Sequence, residues 1–447
     1  MNSSIQKIAY LTSGAASMYC GSCLHDNTLA RAMSSQGVDI QLIPTYTPIR
    51  TDEEDQSVDQ VFFGGINVYL QQKLGLFRHT PRMVDWLLDR RALLGLVSRF
   101  SAATSARDLG ALTVSVLQGE EGHQAKELEK LTRWMADEFK PDVVQLTNTM
   151  FAGMARRLKE ETSAPVLCAV QGEDLFLEQL VEPYRSEARR ILSLRARDVD
   201  GFIAPCRDYA DFMAAYLEVP AGRFHVVRLG LNLEGHGRSE LRAGGTPFTV
   251  GYLARLCPEK GLHVLAEAFQ LLAERRGKGR ARLEVAGWLG AADRRYFREV
   301  VRPLERAGLA DCFRYRGELD RQQKIAFLNE LHVLSVPAQY REPKGLYILE
   351  ALANGVPVVQ PRLGAYPELV EATAGGLLVE AGSAPALADG IEELMEEEER
   401  RLELGRAGMA AAHAEFGDDA MAAATLALYR QYGENGRPRT WEKGTRS

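Results

Sequence analysis

The chain has 447 residues, of which 46% are hydrophobic, and its 54 lysine and arginine residues against 60 aspartate and glutamate residues give a net charge of −6. This length is more than one hydrophobic core usually fills, so two domains are expected. The acidic balance argues against a nucleic-acid-binding protein. No apolar run is long enough to span a membrane, and the N-terminus lacks a signal-peptide core, so a cytoplasmic protein is expected.

The six cysteines stand at positions 20, 23, 168, 206, 257 and 312. This spacing in a long chain does not form a disulfide framework, which favours a reducing compartment. Cys20 and Cys23 form a C-x-x-C pair, but the second half of a zinc site is missing and the histidines are scattered, so we predict no metal. The pair either packs structurally or contacts a substrate, and a redox role is the alternative.

Short apolar runs alternate with helical patterns through the first half of the chain. They predict strands at 7–11, 38–44, 141–146, 165–170, 201–204 and 224–228, with a helix over about 22–36. Such runs are typical of a parallel sheet that is buried on both faces. Residues 69–140 predict a helical insertion, either as scaffold or as a cap over an acceptor site. A segment rich in glycine and charge, 234–245, predicts the hinge that ends a first domain at residue 240.

The second half repeats this alternation in a domain predicted over 241–415. Further strands are predicted at 250–255, 282–286, 313–315, 331–336, 356–360 and 376–379. One helix is expected over 410–432, with its 416–432 part beyond the second domain. Residues 433–447 are predicted to be a tail.

Two carboxylates, Glu342 and Glu350, stand eight positions apart in the second half. Pro343 and Gly345 mark a turn between them, and the apolar spacing from Leu346 onward predicts a helix. Glu342 is therefore expected on a loop, with Glu350 on the second turn of the helix. Free amides at the helix start favour an anion, and carboxylates suit sugar hydroxyls. The arrangement favours a sugar phosphate.

A second segment supplies positive charge. Arg255 follows a predicted strand, and Lys260 precedes Gly261 at the start of a helix predicted over 262–275. The two cations thus flank a strand-to-helix loop, which is where open α/β sheets bind ligands. Together they can neutralise a diphosphate leaving group.

In these two segments the chain resembles the retaining glycosyltransferases of family 4, which have the GT-B fold. The resemblance covers roughly the C-terminal half and rests on matching elements in the same order: Gly251, Arg255, Lys260-Gly261, Glu342, Gly345, Glu350 and Pro367-Glu368. It implies two doubly wound, Rossmann-like α/β domains that face an interdomain cleft. It also implies a donor site in the C-terminal domain, an acceptor site in the N-terminal domain, and a last helix that crosses back to the first domain.

The resemblance also implies roles for individual side chains. Arg255 and Lys260 are expected to hold the diphosphate of a nucleotide sugar and to stabilise its departure. Glu350 is expected to accept hydrogen bonds from the ribose hydroxyls, and Glu342 to lie near the donor sugar. Glu342, Arg255 and Lys260 are therefore the predicted catalytic residues.

The donor loop departs from the usual family pattern at Lys344, where an aromatic residue is common, and at Ala338, where a small hydroxyl is common. Lys344 either touches a phosphate or a charged group of the sugar, or points outward. Gly345 and Leu346 are expected to offer backbone amides to the donor. Gly14 is the best match to the glycine-rich loop with which family members contact the donor diphosphate and the acceptor.

Gln171, Glu173 and Asp174 follow the strand predicted at 165–170. Many family members have a histidine close to position 171, and this chain has glutamine. Glu173 and Asp174 are predicted to orient an acceptor hydroxyl. A helix N-cap is the alternative for Asp174.

These observations predict a retaining glycosyltransferase that uses a nucleotide-diphosphate sugar, expected to be a UDP-sugar, and needs no further cofactor. The acceptor is a small molecule, a glycan or a lipid-linked molecule. A lipid-linked acceptor would bring the protein to the periphery of a membrane, and a homodimer is compatible with the prediction. The alternatives are a non-catalytic nucleotide-sugar-binding GT-B subunit, and a GT-B phosphorylase or nucleotide-sugar synthase.

Overall fold

The computed structural model describes residues 5–14, 21–45, 49–58, 106–237, 241–245 and 247–434. The chain forms two compact units. The first takes the described residues up to Pro205, Ala210–Arg228 and those from Asp419 onward, and the second takes Cys206–Tyr209 and Leu229–Asp418. Each unit contains a six-stranded sheet in which every strand pair is parallel. This confirms the predicted α/β fold class.

The strands of the first sheet lie in the order β2-β1-β3-β4-β5-β6. Their bounds are β1 Lys7–Thr12, β2 Asp39–Pro44, β3 Val143–Leu146, β4 Val166–Ala169, β5 Gly201–Ala204 and β6 Phe224–Val226. β3 and β4 are buried at every residue, as expected for parallel strands that are covered on both faces. The carboxyl ends of all six strands meet at one edge of the sheet.

Helices connect these strands. They are Gly21–Ser35, Ala106–Gln118, Ala125–Trp134, Ala155–Thr162, Glu173–Glu178, Tyr184–Arg195 and Arg207–Leu217. Within the predicted insertion at 69–140, the described residues form the second and third of these helices and a π-helical turn, Met135–Phe139. The part of the insertion before residue 106 lies outside the described residues.

The last helix, Asp418–Glu434, packs into the hydrophobic core of the first unit. Its apolar side chains share one buried cluster with residues of β1, β2 and helix Gly21–Ser35: Met421, Ala422, Leu426, Leu428 and Tyr429. The Tyr429 hydroxyl donates a hydrogen bond to Gln145 Oε1 at 3.2 Å.

The prediction of one helix over 410–432 is wrong, because the helix is interrupted at Phe416 and a new helix begins at Asp418. Helix Glu398–Glu415 ends there, and the buried Phe416 carbonyl accepts a hydrogen bond from Leu231 N–H at 2.8 Å instead of continuing a helix. The predicted tail also begins too early, since Gly433 still belongs to the last helix. Residues 435–447 lie outside the described residues.

The strands of the second sheet lie in the order β12-β11-β10-β7-β8-β9. Their bounds are β7 Phe248–Leu253, β8 Ala281–Ala286, β9 Phe313–Tyr315, β10 Val333–Leu334, β11 Val358–Pro361 and β12 Gly376–Val379. β10 is shorter than the predicted 331–336. The ladder ends before Val336, whose N–H donates to the side-chain oxygen of Gln360 in the neighbouring β11 at 3.2 Å rather than to a backbone carbonyl.

The helices of the second unit are Leu262–Arg276, Arg294–Arg306, Arg321–Asn329, Leu346–Ala353, Tyr366–Thr373, Ala384–Glu396 and Glu398–Glu415. Two of them begin at the carboxyl end of a central strand. Leu262–Arg276 follows β7, and Leu346–Ala353 follows β10. Among the residues that the structure describes, no helix combines the length and the apolar character needed to cross a membrane.

Candidate donor-binding site

The loops after β7 and β10 meet at the carboxyl edge of the second sheet. A single turn, Pro258–Lys260, leads to Gly261, whose φ of +73° is left-handed. A Cβ atom at Gly261 would lie 1.8 Å from the Pro337 carbonyl oxygen, so only glycine fits this close approach. The contact places Lys260 beside the loop that carries Glu342.

Glu342 is buried, with 3% of its surface exposed. It forms an ion pair with Lys260 Nζ, and it accepts hydrogen bonds from the Tyr340 hydroxyl at 2.6 Å and the Tyr347 hydroxyl at 3.2 Å. Burial alone would raise the pKa of Glu342, but the charge and hydrogen bond of Lys260 outweigh it and lower the pKa to about 2. Glu342 is therefore a carboxylate at neutral pH.

Tyrosines extend this cluster into the protein. The hydroxyls of Tyr347 and Tyr366 lie 2.5 Å apart, and Tyr366 donates to the Val336 carbonyl at 3.0 Å. Burial and then the negative charge of Glu342 raise the pKa of Tyr340, Tyr347 and Tyr366. These hydroxyls stay protonated and act as donors. The sequence analysis missed them because tyrosines at apolar helical spacing usually indicate packing alone.

Lys344 does not point outward, because only 8% of its surface is exposed. Its positive charge is close enough to help lower the pKa of Glu342, after the effects of burial, Lys260 and Tyr340. Next to it, Gly345 adopts a left-handed φ of +69° and caps helix Leu346–Ala353. The loops after β7 and β10 therefore bring one lysine each, Lys260 and Lys344, to the Glu342 carboxylate.

The backbone around Glu342 is held in place by side chains of the second unit. The Ala365 N–H donates to the Glu342 carbonyl at 2.8 Å, and Arg341 pairs with Asp208. Glu368, from the predicted Pro-Glu element, accepts a hydrogen bond from the Asp208 N–H at 2.7 Å. Glu368 therefore braces the loop.

Arg255 is exposed at the end of β7. Burial raises the pKa of Tyr340 and the positive charge of Arg255 opposes that rise, so the two groups are close. Burial also raises the pKa of Asp293, which Arg255 lowers. Arg255 thus stands at the rim of the same cluster, between Tyr340 and acidic neighbours.

Glu350 lies on the helix as predicted, but its partner is a lysine that the sequence analysis missed. Lys324 Nζ lies 2.5 Å from Glu350 Oε1, and their side chains are 11% and 12% exposed. Lys324 belongs to helix Arg321–Asn329. No motif links that helix to Glu350, so the pairing could be found only from the fold.

The candidate acceptor residues of the first unit lie at the carboxyl edge of its sheet, and Glu173 is already engaged. Its carboxylate accepts hydrogen bonds from Thr149 N–H at 3.0 Å, the Thr149 hydroxyl at 2.8 Å and Gln171 N–H at 2.7 Å. Burial raises the pKa of Glu173. Asp174 is not an N-cap, because Gly172 holds that position. The roles of both acids towards an acceptor stay predictions.

Gln171 leads to a buried acid that the sequence analysis missed. Its side-chain amide donates to Asp26 Oδ1 at 3.0 Å and to the Thr147 carbonyl at 2.8 Å. Asp26 is 0% exposed. It also accepts hydrogen bonds from Tyr10 at 2.7 Å, Thr12 at 3.0 Å and the Thr147 hydroxyl at 2.6 Å. This group links β1, β3, β4 and the first helix.

The other predicted residues of the first unit are placed only in part. Gly14 has a left-handed φ of +75° after β1, and its predicted contact with a donor stays a prediction. Cys20 lies outside the described residues, and Cys23 is 1% exposed in helix Gly21–Ser35. Within the described ranges, no three or more His, Cys, Asp or Glu side chains are grouped to hold a metal ion.

Solved structures of other proteins resemble this chain over nearly its full length. Sucrose-phosphate synthase from Thermosynechococcus elongatus matches with a TM-score of 0.70 at 17% identity, covering 96% of this chain and 100% of that one. Anabaena HepE in complex with UDP matches with a TM-score of 0.64 at 16% identity, covering 95% and 100%. Identities this low show the fold alone. The chain has the GT-B fold.

Two family models match consecutive parts of this GT-B chain. The model described as "Glycosyl transferase 4-like domain" matches residues 27–230. The model described as "Glycosyl transferases group 1" matches residues 237–410, which include the candidate donor site. Both halves of the GT-B chain are therefore similar to glycosyltransferase domains.

Curated relatives of the GT-B chain point to the same class. The D-inositol 3-phosphate glycosyltransferase of Streptomyces avermitilis is 30% identical over 241 residues, which are 52% of this chain and 51% of that protein. The D-inositol 3-phosphate glycosyltransferase of Paenarthrobacter aurescens is 29% identical over 258 residues, which are 55% of this chain and 62% of that protein. The alignments therefore span between 51% and 62% of these relatives' own length.

Proposed function

We propose that this protein is a retaining glycosyltransferase of family 4 that takes a sugar from a nucleotide-diphosphate donor, with a UDP-sugar as the expected donor. The observation that carries the proposal is the contact between Lys260 and Glu342 at the carboxyl edge of the second sheet. The UDP named with Anabaena HepE and the activity named for the curated relatives support this choice of donor and reaction.

The charges of the cluster suit an anionic donor. Lys260 and Lys344 face a single buried carboxylate, Glu342, so these three side chains together keep one positive charge. Arg255 adds another cation at the rim. A diphosphate that enters here meets preorganised positive charge, which stabilises the negative charge that builds up as it leaves.

Glu342 is suited to stabilise and position rather than to donate a proton. A carboxyl group with a pKa of about 2 is ionised at neutral pH and cannot act as a general acid there. Its negative charge would instead stabilise positive charge at the anomeric carbon of the donor sugar. Tyr340 and Tyr347 hold the carboxylate in that state through their hydrogen bonds.

The transfer itself needs no protein nucleophile. The bond between the anomeric carbon and the phosphate oxygen breaks, and the acceptor oxygen bonds to the same carbon on the same face. The acceptor proton passes to the departing phosphate oxygen. Arg255 and Lys260 stabilise that diphosphate, while Glu350 binds the ribose hydroxyls and the amides of Gly345 and Leu346 bind the donor at the helix start.

We place the acceptor on the first unit, in reach of Gln171 and Asp174. Because the Glu173 carboxylate already accepts three hydrogen bonds within the protein, we propose that it shapes the loop. A polyol or sugar phosphate is the first acceptor to test, since inositol 3-phosphate and sucrose-phosphate appear in the names of similar proteins.

A thermal-shift panel of nucleotide sugars tests the proposal. A ligand that binds only the native state raises the melting temperature by mass action, so UDP-sugars should raise it most. Arg255→Ala and Lys260→Ala should weaken that shift. A wild-type protein that no nucleotide stabilises at saturating concentration would contradict the proposal. Product analysis with and without inorganic phosphate then separates a transferase from a phosphorylase.

A further inference from the structure

We infer that Lys324 is a positioning residue for nucleotide binding, which holds the Glu350 carboxylate aimed at the ribose hydroxyls of the donor. The inference rests on the proposed function and adds a residue that lies outside the Glu-x7-Glu motif. Its basis is the ion pair between Lys324 Nζ and Glu350 Oε1, 2.5 Å apart, between two helices that follow different strands.

Both partners are largely shielded from water. Lys324 keeps 8% of its surface exposed as a whole residue, and the side chain of Glu350 keeps 12%. Lysine is almost never this buried without a compensating partner. Exposed pairs contribute little to stability, but removing one member of a shielded pair leaves an uncompensated charge. The pair is therefore a strong constraint on where the Glu350 carboxylate lies.

The helix that carries Lys324 is itself fixed. Helix Arg321–Asn329 starts with a capping box, in which Gln323 N–H donates to Asp320 Oδ1 at 2.9 Å and Asp320 N–H donates to Gln323 Oε1 at 3.1 Å. Phe327, three residues after Lys324 and so on the same side of the helix, is buried in the core with 1% exposed surface. Functional side chains are placed most accurately when rigid elements and supporting contacts hold them.

The pair also leaves the Glu350 carboxylate with acceptor capacity for a ligand. A carboxylate has two oxygens, and each can accept hydrogen bonds. Lys324 occupies Oε1, and the other oxygen and the free lone pairs stay available to the ribose hydroxyls.

Calorimetric titration with three ligands separates this role from a purely structural one. The ligands are UDP, a 2′,3′-dideoxy UDP that lacks the ribose hydroxyls, and inorganic diphosphate. Lys324→Met should weaken UDP binding about tenfold, because a hydrogen bond to a charged group is lost or misdirected. Binding of the other two ligands should stay within about twofold. Lys278→Met, at an exposed lysine of the same unit, is the matched control.

A double-mutant cycle keeps the test informative if Lys324→Met folds poorly. Glu350→Gln together with Lys324→Met removes both charges and so leaves no buried unpaired one. If Lys324 acts through Glu350, the double variant should bind UDP as Glu350→Gln alone does. Lys324→Arg, which keeps the charge, should retain most of the UDP affinity.

Three outcomes would overturn the inference. In the first, Lys324→Met binds UDP as the wild type does. In the second, Lys324→Met loses affinity equally for all three ligands, which would show that the lysine has only a structural role. An additive loss in the double variant would place Lys324 in direct contact with the ligand instead. If the wild type binds none of the three ligands, the proposed function fails and this inference fails with it.

Discussion

The carboxyl edges of the two sheets gather polar side chains in different ways. At the edge of the first sheet, Asp26 accepts hydrogen bonds from Tyr10, Thr12, Thr147 and Gln171, which are all uncharged, and His25 Nδ1 lies 3.1 Å from its Oδ1. At the edge of the second sheet, Glu342 is met by Lys260 and by the charge of Lys344. The first group is closed within the protein, whereas the second keeps positive charge in excess of its carboxylate.

The difference shows why topology alone does not identify a donor site. Both sheets have the parallel strands that place ligands at their carboxyl edge. A carboxylate that protein donors already saturate contributes to the fold and has little left for a ligand. A carboxylate with two ammonium groups beside it needs only one of them as a partner. The other ammonium group can pair with an incoming phosphate.

The largest effect should come from Lys260→Met. It leaves Glu342 buried with its main partner removed, which should lower the free energy of unfolding by about 3–5 kcal/mol and abolish most UDP binding. Urea unfolding and calorimetric titration measure the two effects. Lys278→Met is the control, because Lys278 is exposed in the same unit. Equal losses in both variants would contradict the role given to Lys260.

Glu342→Gln should lower the free energy of unfolding, and the loss should be largest above the acidic pH range. The folded pKa of Glu342 lies at about 2, below its usual 4.5, so ionised Glu342 stabilises the native state by about 3 kcal/mol above pH 4.5. That contribution is lost as the pH falls through about 2. The difference in unfolding free energy between wild type and variant should therefore shrink from pH 6 to pH 2. If the difference in unfolding free energy grew as the pH fell, the prediction that Glu342 is ionised in the native state would be wrong.

Asp26→Asn tests the closed group of the first unit. Several donors would face an amide that accepts fewer hydrogen bonds, so the free energy of unfolding should fall by about 2–3 kcal/mol. UDP affinity should stay within about twofold, since the cluster around Glu342 belongs to the other unit. Asp39→Asn, at an exposed position, is the control. A large loss of UDP affinity without a loss of stability would show that this edge also takes part in donor binding.

Two tyrosine substitutions should have smaller effects. In Tyr340→Phe, Lys260 and Tyr347 would still hold Glu342. Loss of a hydrogen bond to a charged acceptor should lower stability by about 1.5–3 kcal/mol. Tyr315→Phe removes a bond of 2.9 Å to the neutral Gly287 carbonyl and should lower it by about 0.5–1.5 kcal/mol. Thermal unfolding compares the two variants. A larger loss at Tyr315 would refute the electrostatic reason given for the cluster.

Local sequence patterns predicted most of the fold. Apolar runs placed the strands of both sheets within a few residues, and the turn residues placed Lys260 and Glu342 on loops after β7 and β10. These patterns failed where a contact with a residue far away in the sequence decides where a strand or helix ends. β10 stops before Val336, whose N–H bonds to the Gln360 side chain, and a helix stops before Phe416, whose carbonyl bonds to Leu231 N–H. Neither partner is visible within a local sequence window.

The candidate site was predicted in its charged loop residues and missed in its supporting residues. Arg255, Lys260 and Glu342 stand in a recognisable order along the chain, whereas Lys324 and Tyr366 reach the site from separate helices. A lysine or tyrosine among apolar residues is compatible with ordinary packing. Only the fold shows that Lys324 pairs with Glu350 and that Tyr366 contacts the Tyr347 hydroxyl beside Glu342.

The burial of the last helix against β1 and β2 also bears on the order in which the protein forms during synthesis. The strands of the first sheet precede the second unit along the chain, whereas Tyr429 and its apolar neighbours follow it. Residues 229–418 of the second unit are available to collapse before the first unit can finish its own core. Part of the apolar surface of the first unit therefore stays uncovered until helix Asp418–Glu434 has been made.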